Sequence, residues 1–124
     1  MGFALWILQF ILAIAFCAAG LMKILRPKEE LLERMNWVRQ VTPRGLKLVG
    51  FVELLGGLGL VLPALTGIAP ILTPLAAIGL IVVMVCAIIV HARIKDPIGQ
   101  IMPAVVLLLL LALCLWGLIA QGRV

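Results

Sequence analysis

Three side chains in this 124-residue chain could hold or move a proton where water does not reach: Lys23, Glu53 and His91. They belong to three long apolar runs, at 3–25, 44–62 and 74–92. Glu53 is the most demanding of them. It follows Arg44 by nine positions (53 − 44), which along a helix is ~13 Å. An ionised carboxylate at that depth in a bilayer costs several kcal/mol unless it is paired or protonated, and its side chain is too short to reach water. Lys23 lies near the end of the first run and His91 near the end of the third, on the side where the second run begins. Depth differences of roughly 8–10 Å by helix rise can be bridged by a long Lys side chain turned inward. Brought together, the three would form a ligand-binding or proton-relay cluster. Glu53 would exchange a proton or accept a hydrogen bond, Lys23 would hold its charge, and His91 would relay protons to the aqueous side. Plainer readings stand beside this one. Lys23 can snorkel to the headgroups, His91 can be an interfacial residue, and Glu53 can sit in a structural ion pair without chemistry.

Helical spacing puts small residues next to these polar ones. Gly50, Glu53 and Gly57 share a stripe of the second helix, and Phe16, Gly20 and Lys23 a stripe of the first, with Ala19 beside them. Met84, Ala87 and His91 share a face of the third. Small residues flanking a polar one let two helices approach closely, so Gly20, Gly50 and Gly57 are expected at helix contacts and a Lys23–Glu53 pair with His91 nearby is the economical arrangement.

The elements that must position these residues follow from composition. Hydrophobic residues make up 65% of the chain and charged residues 12%, with a mean hydropathy of +1.32. That excludes a soluble globular protein, a disordered chain and a nucleic-acid binder. At ~20 apolar residues per crossing, the length holds four crossings. The expectation is an all-α integral membrane four-helix bundle, a single transmembrane domain over 1–124, with helices at about 3–25, 44–62, 74–92 and 98–120. The first run reads as a helix rather than a cleaved signal, because no Lys or Arg precedes it. Between the first two crossings, Leu31, Leu32, Met35, Val38 and Val41 recur at helical spacing among charged residues, with Trp37 beside them. This predicts a short amphipathic interfacial helix over 28–41. Thr42-Pro43 and Thr73-Pro74 each read as a helix cap followed by proline, and Pro63 as the end of the second crossing. Residues 93–97 form a tight charged turn.

Of ten cations, nine (Lys23, Arg26, Lys28, Arg34, Arg39, Arg44, Lys47, Arg93 and Lys95) fall at the two connections that share one side, and only Arg123 at the other. The positive-inside rule therefore places both termini outside the cytoplasm of what reads as a bacterial cytoplasmic membrane. Cys17, Cys86 and Cys114 lie in apolar runs without CxxC spacing, which argues against a disulfide scaffold, a metal site or a thiol pair.

The runs Ala-Ala-Gly-Leu-Met-Lys at 18–23, Gly-Phe-Val-Glu-Leu-Leu-Gly-Gly-Leu-Gly-Leu-Val-Leu-Pro at 50–63 and Leu-Thr-Pro-Leu-Ala-Ala-Ile-Gly-Leu at 72–80, closed by His91, resemble the DoxX-like family of small four-helix membrane proteins. The resemblance spans nearly the whole chain, and the order Lys, Glu, His is its most specific part. It implies the bundle and Lys23, Glu53 and His91 as candidate site residues. Members often carry an Asn early in the fourth helix, where this chain has Gln100, Met102 and Pro103. The family ranges from quinone-coupled sulfur oxidation through association with redox-stress enzymes to membrane assembly, so it implies no single reaction.

Three functions fit these residues. The first is a site for a lipophilic small molecule, a quinone or a lipid, in the bundle of an accessory or redox-linked subunit. No haem-binding His pair, cysteine cluster or dinucleotide loop is present, so no cofactor is evident beyond a possible quinone, and the chain alone reads as a binding subunit rather than a complete enzyme. The second is an assembly or interaction factor docking on a membrane partner protein. The third is a small proton-coupled exporter working as a homodimer; known exporters of this length carry their membrane-embedded Glu in the first helix, not the second. The orientation is directly testable. A C-terminal reporter active only in the cytoplasm should stay silent, and a strong signal would invert the topology.

Overall fold

The computed structural model describes residues 2–26, 42–69 and 71–122, and the expected interfacial helix at 28–41 lies outside them. Five helices are described: α1 (Gly2–Leu25), α2 (Pro43–Gly59), α3 (Leu62–Thr66), α4 (Leu72–Arg93) and α5 (Ile98–Ala120). α1, α2 with α3, α4 and α5 make four stretches long and apolar enough to cross a membrane, and no strand occurs among the described residues. α1 packs on α2, α2 on α4, α4 on α5 and α5 back on α1, a closed ring of four. Large apolar side chains such as Phe3, Ile14, Leu48, Val82, Leu109 and Trp116 face outward, as a lipid-facing surface requires.

Glycines set how close these helices come. A Cβ on Gly20 would lie 2.5 Å from the Gly50 carbonyl oxygen, and one on Gly50 would lie 2.7 Å from that of Gly20. About two turns further along, a Cβ on Gly57 would meet Cys17 Sγ at 2.8 Å and the Ala13 carbonyl oxygen at 3.0 Å. α1 and α2 are thus in near backbone contact. α2 meets α4 through side chains instead, with Gly56 under Leu80 and Gly59 under Ala76.

Thr42 caps α2, its hydroxyl accepting from Gly45 N–H at 3.0 Å, with Pro43 at the first helical position. The second crossing departs from the expected 44–62. It breaks at Leu60–Val61 and resumes as α3 to Thr66. Pro63 has no N–H to give the Gly59 carbonyl and its ring crowds the preceding turn. It is tolerated in the first turn of a new helix, so the chain restarts rather than stops. The break is sealed from outside, by Gln9 on α1. Its buried amide donates to the Leu60 carbonyl at 2.7 Å. Gly67, in the left-handed conformation at φ 72°, then closes α3.

The second cap-and-proline pair behaves differently from expectation. Thr73 lies inside α4, which starts at Leu72 with Ile71 as its cap and no side-chain capping bond. A bond from Leu72 N–H to the Ala69 carbonyl at 2.9 Å begins the turn early. Pro74 then falls within the first turn, where the missing N–H has no helical partner to lose.

The bundle is unevenly filled along its length. Leu5, Leu12, Leu60, Ala77, Leu80, Leu111, Cys114 and Leu118 pack a solid core around the Gln9 end. Toward the other end the core thins to Phe16, Met84 and Ala104. The close approach of α1 and α2 predicts the response to a side chain there. Gly50→Val should destabilise the detergent-solubilised protein by about 1–3 kcal/mol, the usual cost of overpacking. Gly79→Val, where an added Cβ meets nothing within 4 Å, should leave the thermal midpoint unchanged.

Candidate functional site

Lys23 sits in the last turn of α1, and Glu53 almost three turns into α2 with Gly50 a turn before it. The Gly20–Gly50 contact brings the two backbones together just where these side chains leave them. Lys23 Nζ donates to both carboxylate oxygens of Glu53, at 2.9 and 3.0 Å. Both residues are removed from solvent, at 7% and 3% exposure. Charge-assisted bonds to both oxygens satisfy a carboxylate that has no water to turn to.

His91 lies in the last turn of α4 and is buried. Its partner is neither Lys23 nor Glu53. The ring Nδ1 meets Asp96 Oδ2 at 2.5 Å. Lys95, at φ 55°, turns the chain back, and Asp96 N–H donates to the His91 carbonyl at 3.0 Å. The charged turn after α4 thus folds a carboxylate under the imidazole.

Lys23, Glu53 and His91 border one cavity of about 580 Å³. Its walls are the last turns of α1, the first of α2, the last of α4 and the first of α5, all at the end of the bundle opposite Gln9. Phe16, Ala19, Val49, Ala87, Ala104 and Leu107 supply apolar surface, and Lys23, Glu53, His91 and Gln100 the polar groups. On one flank the cavity runs out between α2 and α4, where its lining residues Leu48, Val52, Val82 and Cys86 are exposed. Gln100 lines the cavity from the first turn of α5, although the chain lacks the Asn that members of the family often carry early in this helix. Asp96 and Gln9 have no place among the site residues expected from sequence. A sign of Asp96 is a carboxylate five positions after a histidine and just before proline. A sign of Gln9 is an amide in the middle of an apolar run. Of the three packing glycines, Gly20 and Gly50 flank the ion pair and Gly57 lies against Cys17. Among the described residues, no three His, Cys, Asp or Glu side chains are placed to hold a metal ion.

Four spanning helices in a ring, closed at one end and hollow at the other over a buried Lys–Glu pair, define a small integral membrane bundle with an internal pocket. The chain belongs to the DoxX-like family, whose sequence pattern matches residues 7–113 and so takes in Lys23, Glu53, His91 and Gln100. No curated protein and no solved structure matches it.

The ion pair makes a specific energetic prediction. Removing one member strands the other charge, at about 3–5 kcal/mol, whereas removing both strands none. Lys23→Met or Glu53→Leu alone should therefore lower the thermal midpoint more than the double substitution does. A double-mutant cycle in detergent measures the coupling, and strictly additive effects would show that the pair contributes nothing.

Proposed function

We propose that this protein binds a lipophilic small molecule, a quinone or a lipid, in the cavity beside Lys23 and Glu53, as an accessory or redox-linked subunit of the cytoplasmic membrane. One observation carries the reading: a mostly apolar cavity of about 580 Å³ with its few polar groups gathered at one end. Small-molecule sites share that volume class, roughly 300–1,000 Å³, and that division of labour between apolar walls and a few orienting polar groups. The position suits a membrane-dissolved ligand. The polar groups stand near the cation-rich connections, where a polar head would lie, and the exposed flank between α2 and α4 faces the depth at which an apolar tail would lie. With the cation-rich side in the cytoplasm and both termini outside, the site belongs to the inner leaflet.

Ala87 lines the cavity and carries no polar function, so filling its space tests the reading without touching the ion pair. Ala87→Phe in lipid nanodiscs should bind the short-chain quinone decylubiquinone at least about tenfold more weakly than the native chain, with little change in thermal midpoint. A lipid that co-purifies with the native protein should likewise be depleted from the variant. If decylubiquinone binds both proteins alike and no lipid is lost, the cavity is not a ligand site.

A further inference from the structure

A carboxylate just past a helix C-terminus faces the negative end of the helix dipole, the least favourable place for an anion. Asp96 occupies that place behind α4, and its side chain is only 3% exposed. The His91 ring explains it, because it offers an N–H to that carboxylate. An ionised carboxylate can only accept, so the bond at Nδ1 requires Nδ1 to carry a hydrogen. A neutral imidazole held in this way has a bare lone pair at Nε2. Since Nδ1 is committed to Asp96 and His91 lines the cavity, Nε2 is the ring nitrogen left for a ligand. Among the described residues, Lys23 and Glu53 neutralise each other across the cavity, and Arg93 and Lys95, at and just past the end of α4, are exposed. From α5 the cavity receives Gln100, which carries no charge.

We propose that the His91–Asp96 dyad is a hydrogen-bond acceptor that selects a hydroxyl-bearing lipophile, a long-chain phenol or hydroquinone, with Asp96 as the positioning residue that fixes the histidine tautomer. The assignment rests on the cavity being a ligand site and names what that site reads. A ligand O–H donates to Nε2, while a carbonyl or ether oxygen in the same place meets a lone pair.

His91 is the single histidine of the chain, so protein labelled with ¹⁵N in its histidine ring gives one pair of ring resonances. At about pH 8, where an ordinary imidazole is neutral, Nδ1 should be protonated and Nε2 bare. The reverse tautomer, or a ring protonated at both nitrogens, overturns the assignment. That measurement needs no variant. The binding arm compares para-nonylphenol with its methyl ether, which match in shape but differ in the donor. The native protein should bind the phenol roughly tenfold more tightly, the effect of one hydrogen bond in a dry site. In Asp96→Asn the amide can donate to Nδ1, which moves the ring hydrogen to Nε2 and should abolish the preference. Equal binding of both probes by the native protein overturns the dyad's role and leaves the cavity reading intact. Binding of neither overturns the cavity reading, and the dyad's role with it.

Discussion

An ammonium and a carboxylate removed from water hold one another only if their helices come close enough for Lys23 Nζ to reach both oxygens of Glu53, at 2.9 and 3.0 Å. Glu53 cannot snorkel, so the partner must come to it. That requirement explains the glycines better than any local preference does. Glycine costs roughly 0.5–1 kcal/mol relative to Ala in a helix interior, and Gly20 and Gly50 are kept where any Cβ would strike the opposing carbonyl. The backbone contact fixes the spacing of α1 and α2, and that spacing makes the pair possible. Charge burial and helix packing are here one constraint.

The same spacing has a consequence on the far side of the bundle. α2 is drawn toward α1 along its first turns and meets α4 only further on, through Gly56 against Leu80 and Gly59 against Ala76. Between those contacts and the end of α4, the ring is left unfilled, and that space is the cavity. At the other end the break at Leu60–Val61 would expose a carbonyl to an apolar interior, where an unmet acceptor is costly. Gln9 meets it at 2.7 Å. The bundle therefore has a polar bond in each half with opposite outcomes. One seals a solid core, and the other stands at the wall of a hollow.

Much of this was legible in the chain because the bilayer imposes simple rules. Span length follows from hydrocarbon thickness, and close approach follows from small residues on one helix stripe. Glu53 was visible because a short charged side chain at that depth has no solvated alternative. Other features depend on contacts that no spacing encodes. The Asp96 carboxylate reaches His91 because Lys95 adopts a left-handed conformation, an unusual state for a lysine that periodicity does not reveal. The role of Gln9 depends on the helix break before Pro63, and the Leu60 carbonyl it meets is 51 positions away from it along the chain. Thr73-Pro74 has the composition of a cap, but the bond from Leu72 to Ala69 starts the helix first. The cavity is hardest of all to foresee, because it is a place where side chains fail to meet.

Charge accounting around that cavity narrows what it can hold. Lys23 is committed to Glu53 through both oxygens, so the ammonium is already neutralised where an anionic ligand would seek it. Asp96 is committed to His91. The Lys23–Glu53 pair leaves no unsatisfied charge for a ligand to neutralise, and an anion introduced beside Glu53 and Asp96 would incur its desolvation cost without a described counter-ion. The polar end of the cavity therefore offers hydrogen bonds rather than charge, through the imidazole and the Gln100 amide. A neutral molecule gains most from such a wall, its apolar body against Phe16, Val49, Ala87 and Leu107 and a single polar group against the dyad. The arrangement fits Glu53 less well to a transport role, in which a carboxylate must release its proton and partner in every cycle. Here the carboxylate is held by the very contact that brings α1 and α2 together, and releasing it would loosen the bundle.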